Sequence, residues 1–288
     1  MLFNTYEPWK FAFSSENEEI KENSYGIIGV PFDSTTSYHS GARLGPIVVR
    51  EASFGFEKFN TNFNKELTTT FYDFGDVNVV PGNCEKTCKI VEDTVNEILD
   101  LNLKPIIIGG EHSASIGSIN ALKERYGKLT VVHLDAHRDL AFEFIGEKYS
   151  HATVMRRAHE TGANLVQIGI RSSSKDEEEF VKSTYNIQTF RLKDIRKHMD
   201  AIEYFLINLE SPVYISIDMD VFDPSIAPSV GNPTPDGLFA YEIEKIIETL
   251  SHKNVVGLDV VETASDRLGE VTGVVAARII YDFLTLIE

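Results

Sequence analysis

The chain has 288 residues, of which 27 are lysine or arginine and 44 are aspartate or glutamate, so its formal net charge is −17. This acidic balance argues against a nucleic-acid partner, because phosphates require lysine and arginine in place of their counterions. The chain lacks a run of about 18 apolar residues and a basic start followed by an apolar stretch, which argues against a membrane span or a secretory signal. Cys84 and Cys88 are too few for a disulfide framework. We therefore expect a cytoplasmic protein with reduced thiols.

Short apolar runs rich in β-branched residues alternate with helical patterns along the chain. The predicted strands cover residues 25–30, 68–74, 105–109, 129–134, 164–170, 186–190, 213–218 and 255–261. The predicted helices include residues 84–100, 113–127, 192–210, 240–252 and 270–288. Several strands are continuously apolar, which is typical of a sheet buried on both faces. The pattern predicts one α/β domain over residues 1–288, with helices on both sides of a parallel sheet.

Polar residues directly follow four of these strands, at the edge where parallel sheets bind ligands. Alternate residues of an extended chain face the same side, so Asp135, His137 and Asp139 converge. The same spacing brings Asp218 and Asp220 together. The four strand-end groups are residues 111–113, residues 135–139, residues 218–220 and Glu262.

Four aspartates in one crevice repel one another unless cations hold them, so bound metal is the simplest physical explanation. The number of candidate ligands exceeds the need of one catalytic ion and favours two divalent ions that share carboxylates. Two such ions about 3.5–4 Å apart lower the pKa of a shared water. Oxygen ligands with some imidazole favour Mn²⁺ and leave Zn²⁺, Co²⁺, Ni²⁺ and iron open. The candidate ligands are His112, Asp135, His137, Asp139, Asp218 and Asp220.

The motifs GGEHS, DAHRD and SIDMDVFDPSIAPSVGNPTPDGL occur in this order and resemble the metal-binding signatures of the ureohydrolases, the arginase and agmatinase superfamily. SGARLGP and GLDVVE extend the resemblance over most of the chain. It implies a three-layer α/β/α sandwich with an eight-stranded parallel sheet, two Mn²⁺ ions per subunit and a homo-oligomer, a trimer or hexamer. By this resemblance one ion takes His112, Asp135, Asp139 and Asp218, and the other takes Asp135, His137, Asp218 and Asp220.

The resemblance also implies three catalytic roles. Asp139 would orient the attacking hydroxide, and Glu262 would pair with the substrate guanidinium, since a carboxylate matches a planar cation. His151, in YSHATVM, matches a histidine proposed to pass a proton to the leaving amine. A solvent-facing or helix-capping role is the alternative for His151.

Departures from arginase indicate the substrate. Arginase holds the amino-acid head of arginine with an asparagine and with aspartates, where this chain has Ala141 and serines at 172–174. A site that lacks those partners disfavours arginine, because the charged head would be poorly solvated. GIRSS and SGARLGP resemble agmatinase instead. We therefore expect a small cationic guanidino substrate, agmatine, and hydrolysis to putrescine and urea, a reaction of polyamine biosynthesis.

Other interpretations stay open. A sister activity on guanidinobutyrate, guanidinopropionate or formimidoylglutamate would need an anchor for a distal carboxylate, and Arg171 is a candidate. A related deacetylase would use one Zn²⁺ and fewer ligands, and a non-catalytic homologue would keep the metal alone. The segment 263–268 departs from agmatinases near the guanidinium partner, and Arg138 is interpreted as a structural residue pointing away from the ligands. Residues 1–24 would pack on a neighbouring subunit or cover the sheet edge.

Overall fold

The computed structural model describes residues 2–6, 9–17, 19–210 and 212–287, and a nine-stranded sheet forms its centre. A further pair of short strands, β3 and β4, lies apart from this sheet. The strands are β1 Thr5–Tyr6, β2 Tyr25–Val30, β3 Phe59–Asn60, β4 Lys65–Glu66, β5 Phe71–Val77, β6 Lys104–Gly109, β7 Thr130–Leu134, β8 Asn164–Ile170, β9 Ile187–Arg191, β10 Val213–Asp218 and β11 Val255–Val261. The helices are α1 Gly45–Ser53, α2 Cys84–Asp100, α3 Ala114–Tyr126, α4 Val154–Glu160, α5 Lys175–Ser183, α6 Leu192–Ile207, α7 Ala240–Ser251 and α8 Val271–Leu286.

The strand order is β1-β5-β2-β6-β11-β10-β7-β8-β9, and eight of the nine strands run parallel. The predicted arginase-like fold is confirmed, and all eight predicted strands are present. The expected number of eight is wrong by one, because β1 pairs antiparallel with β5 at the sheet edge. Part of the N-terminal segment therefore covers that edge, which is one of the two roles foreseen for it.

Helices cover both faces of the sheet, as the alternation predicts. On one face α2, α3 and α4 bury side chains such as Val91, Ile119 and Met155 against the sheet. On the other face α1, α6, α7 and α8 do the same, with Ile246 and Ile280 fully buried. Strand residues alternate between the two cores, as the period of two requires. None of the described helices has the length and apolar content that crossing a bilayer requires.

The four strands that carry the predicted site, β6, β11, β10 and β7, are neighbours at the centre of the sheet. Their parallel ladders bring all four carboxyl ends to one edge. Beyond β6 the chain passes directly over the end of β2, where the amide of Glu111 donates to the Phe32 carbonyl over 2.7 Å. A Cβ on Gly110 would overlap that carbonyl oxygen, so this crossing requires glycine. The crossing sets the position of His112.

Candidate metal centre

The imidazole of His112 faces three carboxylates that come from two other strand ends. Its Nδ1 lies 3.2 Å from Asp135 Oδ2, 3.1 Å from Asp139 Oδ2 and 3.2 Å from Asp218 Oδ2. His112 is buried, and within the described part of the chain this nitrogen has no hydrogen-bond partner of acceptable geometry. A buried nitrogen lone pair among converging carboxylate oxygens is the arrangement that a divalent cation satisfies.

The opposite nitrogen of His112 is held by a chain of hydrogen bonds. His112 Nε2 lies 2.9 Å from Ser216 Oγ, and the Ser216 hydroxyl donates to Asp259 Oδ1 over 2.8 Å. The Tyr214 hydroxyl donates to the other oxygen of Asp259. Since Ser216 gives its proton to Asp259, its oxygen accepts from His112 Nε2. The lone pair of His112 is therefore on Nδ1, toward the carboxylates.

A second cluster shares Asp135 with the first. His137 Nδ1 lies 2.9 Å from Asp220 Oδ2 and 3.5 Å from Asp135 Oδ1. The backbone amide of Ala136 donates to Asp220 Oδ1 over 3.0 Å and fixes that carboxylate. All six predicted ligands thus come together at one sheet edge, in two overlapping groups.

His133 belongs to the first cluster and was missed by the sequence analysis. Its Nε2 lies 2.7 Å from Asp135 Oδ2, and the ligand-capable atoms of His112, His133, Asp135 and Asp139 all lie within 4.8 Å of one another. His133 stands two residues before Asp135 on β7, so the period of two already placed both on one face. Its other nitrogen lies 3.2 Å from Gln167 Nε2.

Asp139 and Glu262 both have left-handed backbone conformations, with φ of 52° and 65°. Such a conformation costs a non-glycine residue on the order of 1–3 kcal/mol and concentrates at functional sites. The amide of Glu262 donates to the Gly110 carbonyl, and its Oε1 accepts from the His112 amide, both over 2.8 Å. These bonds place the Glu262 carboxylate beside the first cluster.

Burial and mutual repulsion shift the acid–base behaviour of the metal-free site. Burial, together with the nearby Glu111 carboxylate, raises the pKa of Glu262 to about 8. Burial and the charges of Asp220 and Asp135 raise the pKa of Asp218 well above its usual range. Burial opposes protonation of His137, yet the carboxylates of Asp220 and Asp135 raise its pKa to about 12. Without bound cations, these three groups therefore stay protonated at pH values where they would ordinarily have lost their protons.

We expect the metal-free protein to be more stable near pH 5.5 than near pH 8. Because their pKa values are raised, Glu262, Asp218 and His137 hold protons in the folded chain at these pH values. In the unfolded chain the two carboxyls have lost theirs by pH 5.5, and the histidine loses its proton as the pH rises through about 6.5. The free energy of unfolding therefore falls as pH rises, by up to ~1.4 kcal/mol per pH unit for each such group. Thermal denaturation in EDTA at both pH values measures this, and added Mn²⁺ should remove the difference. Equal melting temperatures in EDTA would contradict the prediction.

Both clusters open onto a cavity of about 190 Å³. His151 lines it from the short helical turn that precedes α4, and its ring packs edge-on against Phe144, with centroids 5.0 Å apart. Glu177 of α5 lines the same cavity and was not predicted from sequence. The other polar lining residues include Asp139, the serines at 172–174, Asp218, Asp220, Asn232 and Glu262.

Three sequence interpretations can be compared with this geometry. Arg171 is not a free anchor for a carboxylate, because its guanidinium donates to main-chain carbonyls, among them Asp220 O at 2.6 Å and Thr234 O at 2.7 Å. Arg138 lines the cavity but is buried, and its guanidinium donates to Glu178 Oε1 and Gln167 Oε1, each over 2.8 Å, rather than to a predicted ligand, which fits a structural role. The segment 263–268 contributes no described residue to the cavity lining. It packs against the SGARLGP loop, where a Cβ on Gly45 would lie 2.9 Å from Thr263 O.

The parallel sheet and its two carboxylate–imidazole clusters define an α/β enzyme with a site able to hold metal. A sequence model of the Arginase family matches residues 23–285. The agmatinase of Pyrococcus horikoshii is 35% identical, with 98% of this chain and 97% of the relative covered. The N(1)-aminopropylagmatine ureohydrolase of Thermococcus kodakarensis is 37% identical, with 96% and 94% covered. The crystal structure of the agmatine ureohydrolase of Thermoplasma volcanium matches with a TM-score of 0.87 and 32% identity over 98% and 94% of the two chains. The chain belongs to the Arginase family and is an agmatinase-like ureohydrolase.

Proposed function

We propose that this protein hydrolyses agmatine to putrescine and urea with two Mn²⁺ ions. The negative charge of the cavity is the observation that favours agmatine, a dication, as the substrate. Its lining includes the carboxylates of Asp139, Asp218, Asp220, Glu262 and Glu177, and among the described residues Arg138 is its one arginine or lysine. Arg138 is already paired with Glu178. Two metal ions offset the aspartates, and Glu262 and Glu177 then match the two positive ends of agmatine. A substrate with a distal carboxylate would find no free arginine or lysine among the described lining residues.

The donor set fits a pair of divalent ions. We assign one ion to His112, Asp135, Asp139 and Asp218, and the other to Asp135, His137, Asp218 and Asp220. Two observations support this assignment: His112 Nδ1 has no hydrogen-bond partner among the described residues, and burial and neighbouring charge raise the pKa values of Asp218 and Asp220. When bound, the ions supply a nucleophile from water near neutral pH.

The protein's own residues position the reactants. In this proposal Glu262 holds the guanidinium through paired charge-assisted hydrogen bonds, which aligns its carbon for attack. Asp139 accepts a hydrogen bond from the attacking oxygen and orients it. As the bond breaks between the guanidinium carbon and the nitrogen that bears the aminobutyl chain, His151 gives a proton to that nitrogen, so putrescine leaves as an amine rather than an amide anion.

Urea release tests the proposal, with agmatine, arginine and guanidinobutyrate assayed side by side on the Mn²⁺-loaded protein. Urea from agmatine alone would support both the chemistry and the substrate. Urea from guanidinobutyrate or arginine would still support metal-dependent hydrolysis, but would contradict the inference that the acidic cavity selects agmatine. Two bound ions without urea from any of the three would favour formimidoylglutamate hydrolysis or a non-catalytic homologue.

The substitution Glu177→Gln is expected to raise the KM for agmatine while kcat changes less than threefold. Glu177 Oε2 already accepts from the backbone amide and the hydroxyl of Ser174, at 2.8 and 2.9 Å, so the carboxylate is fixed in place. Losing a charge-assisted contact of about 1.5–3 kcal/mol corresponds to roughly a ten- to hundredfold rise in KM. Glu179→Gln is the control, because Glu179 is on the same helix, exposed and away from the cavity. An unchanged KM in Glu177→Gln would exclude this contact.

A further inference from the structure

A hydrogen-bond chain outside the metal clusters runs from the buried Glu111 through the half-buried Thr35 to His151. Glu111 is fully buried next to His112 in sequence, and its carboxylate accepts three hydrogen bonds. Oε2 accepts from the Thr35 amide over 2.7 Å, and Oε1 accepts from the hydroxyls of Thr35 over 2.6 Å and Ser113 over 2.5 Å. The first of these donors is a backbone N–H and cannot reverse its role. As a carboxylate Glu111 has only acceptor atoms, so its Oε1 also accepts from the Thr35 hydroxyl.

The Thr35 hydroxyl is saturated by this arrangement. It has one hydrogen, which it gives to Glu111, and two lone pairs. The backbone amide of His151 donates to Thr35 Oγ1 over 3.0 Å, and His151 Nδ1 lies 3.2 Å from the same oxygen. Since the only hydroxyl proton is used, His151 Nδ1 must be the donor in its own contact with Thr35. The neutral imidazole then has its hydrogen on Nδ1 and its lone pair on Nε2.

We propose that Thr35 and Glu111 are positioning residues that fix His151 as the Nδ1–H tautomer and reserve Nε2 for proton exchange with the leaving amine. This inference rests on the proposed function of His151. In each turnover the imidazolium gives its Nε2 proton to the nitrogen as the carbon–nitrogen bond breaks, and Nε2 regains a proton from water. The Nδ1 hydrogen stays with Thr35 throughout. The opposite tautomer would have no lone pair on Nε2 with which to take up that proton.

The first test compares Thr35→Val, which removes the hydroxyl at nearly constant shape, with Thr35→Ser, which keeps it. We expect kcat for agmatine to fall about a hundredfold in Thr35→Val, the lower end of what general acid–base catalysis supplies. KM and the metal content should each stay within threefold of the wild-type value. Thr35→Ser, which keeps the hydroxyl, should retain most of the wild-type kcat. Thr94→Val is the control, because it removes a hydroxyl that is likewise hydrogen-bonded, but to Ile90 O within α2. Wild-type kcat in Thr35→Val would overturn the proposal.

The second test does not depend on turnover. Long-range proton–nitrogen NMR of histidine-labelled protein, loaded with diamagnetic Zn²⁺ and kept well above the usual imidazole pKa of about 6.5, identifies the protonated ring nitrogen of each histidine. His151→Gln assigns the signal. The proposal requires Nδ1–H in the wild type and in Thr35→Ser, with loss of this preference in Thr35→Val. An Nε2–H tautomer in the wild type overturns it. If agmatine gives no urea, the proposed function fails while this measurement still decides the tautomer.

Discussion

The substitution Asp135→Asn is expected to remove bound metal and urea formation together. Asp135 is shared by both clusters, with Oδ2 facing His112 Nδ1 and Oδ1 facing His137 Nδ1. It also accepts hydrogen bonds from His133 Nε2 and the His137 amide, so its geometry is fixed before metal binds. An amide offers one neutral oxygen in place of two charged ones. In the proposed two-ion site, losing a charged ligand to both ions should weaken the free energy of metal binding by several kcal/mol.

Metal analysis and steady-state kinetics measure this effect. We expect metal content to fall from about two ions to fewer than one, and kcat/KM to fall at least about a thousandfold, or ~4 kcal/mol. Asp100→Asn is the control, because Asp100 is exposed at the end of α2 and its ion pair with Arg125 is long, at 3.5 Å. An Asp135→Asn protein with two ions and near-normal turnover would show that the clusters are not the catalytic centre.

The ligand set could be predicted because parallel strands end at a common edge, and the structure obeys this rule at β6, β7, β10 and β11. The alternation that was expected to align Asp135, His137 and Asp139 ends with β7, because residues 136 and 137 form a bend and Asp139 has a left-handed backbone. These side chains converge through a turn rather than along an extended strand. Alternation within β7 does place His133 on the same side as Asp135, but a histidine inside an apolar strand is typical of a core residue.

The residues that were missed are brought in by long-range packing. Glu177 lies in the acidic run KDEEE, which resembles a solvated helix face, and the α5 N-terminus carries it to the cavity through Ser174. Arg171 looks like a free cation in sequence, yet loops from residues 220–222 and 234–235 surround it with carbonyls. No periodicity encodes these contacts. β1 was missed for another reason, since two residues are too few to show a strand pattern.

The substitution Glu262→Gln is expected to separate metal binding from catalysis. The Oε1 atom accepts from the His112 amide, and a glutamine oxygen can accept the same bond, so the first cluster should keep its shape. The change removes the negative charge that, in the proposed function, pairs with the guanidinium. Burial raises the pKa of Glu262 to about 8 in the metal-free chain, and a bound cation reverses this by favouring the ionised form. The carboxylate therefore becomes charged when substrate and metal are present.

We expect Glu262→Gln to retain two ions per chain while kcat/KM for agmatine falls about a thousandfold. That loss corresponds to ~4 kcal/mol, within the range for removing one partner of a buried charge pair. The substitution Glu248→Gln on the exposed face of α7 is the control for an equal change in net charge. Metal analysis beside kinetics distinguishes the outcomes. If metal is lost as in Asp135→Asn, Glu262 supports the cluster rather than the substrate. If kcat/KM is unchanged, the guanidinium is held elsewhere, and Glu177 becomes the next carboxylate of the cavity to replace.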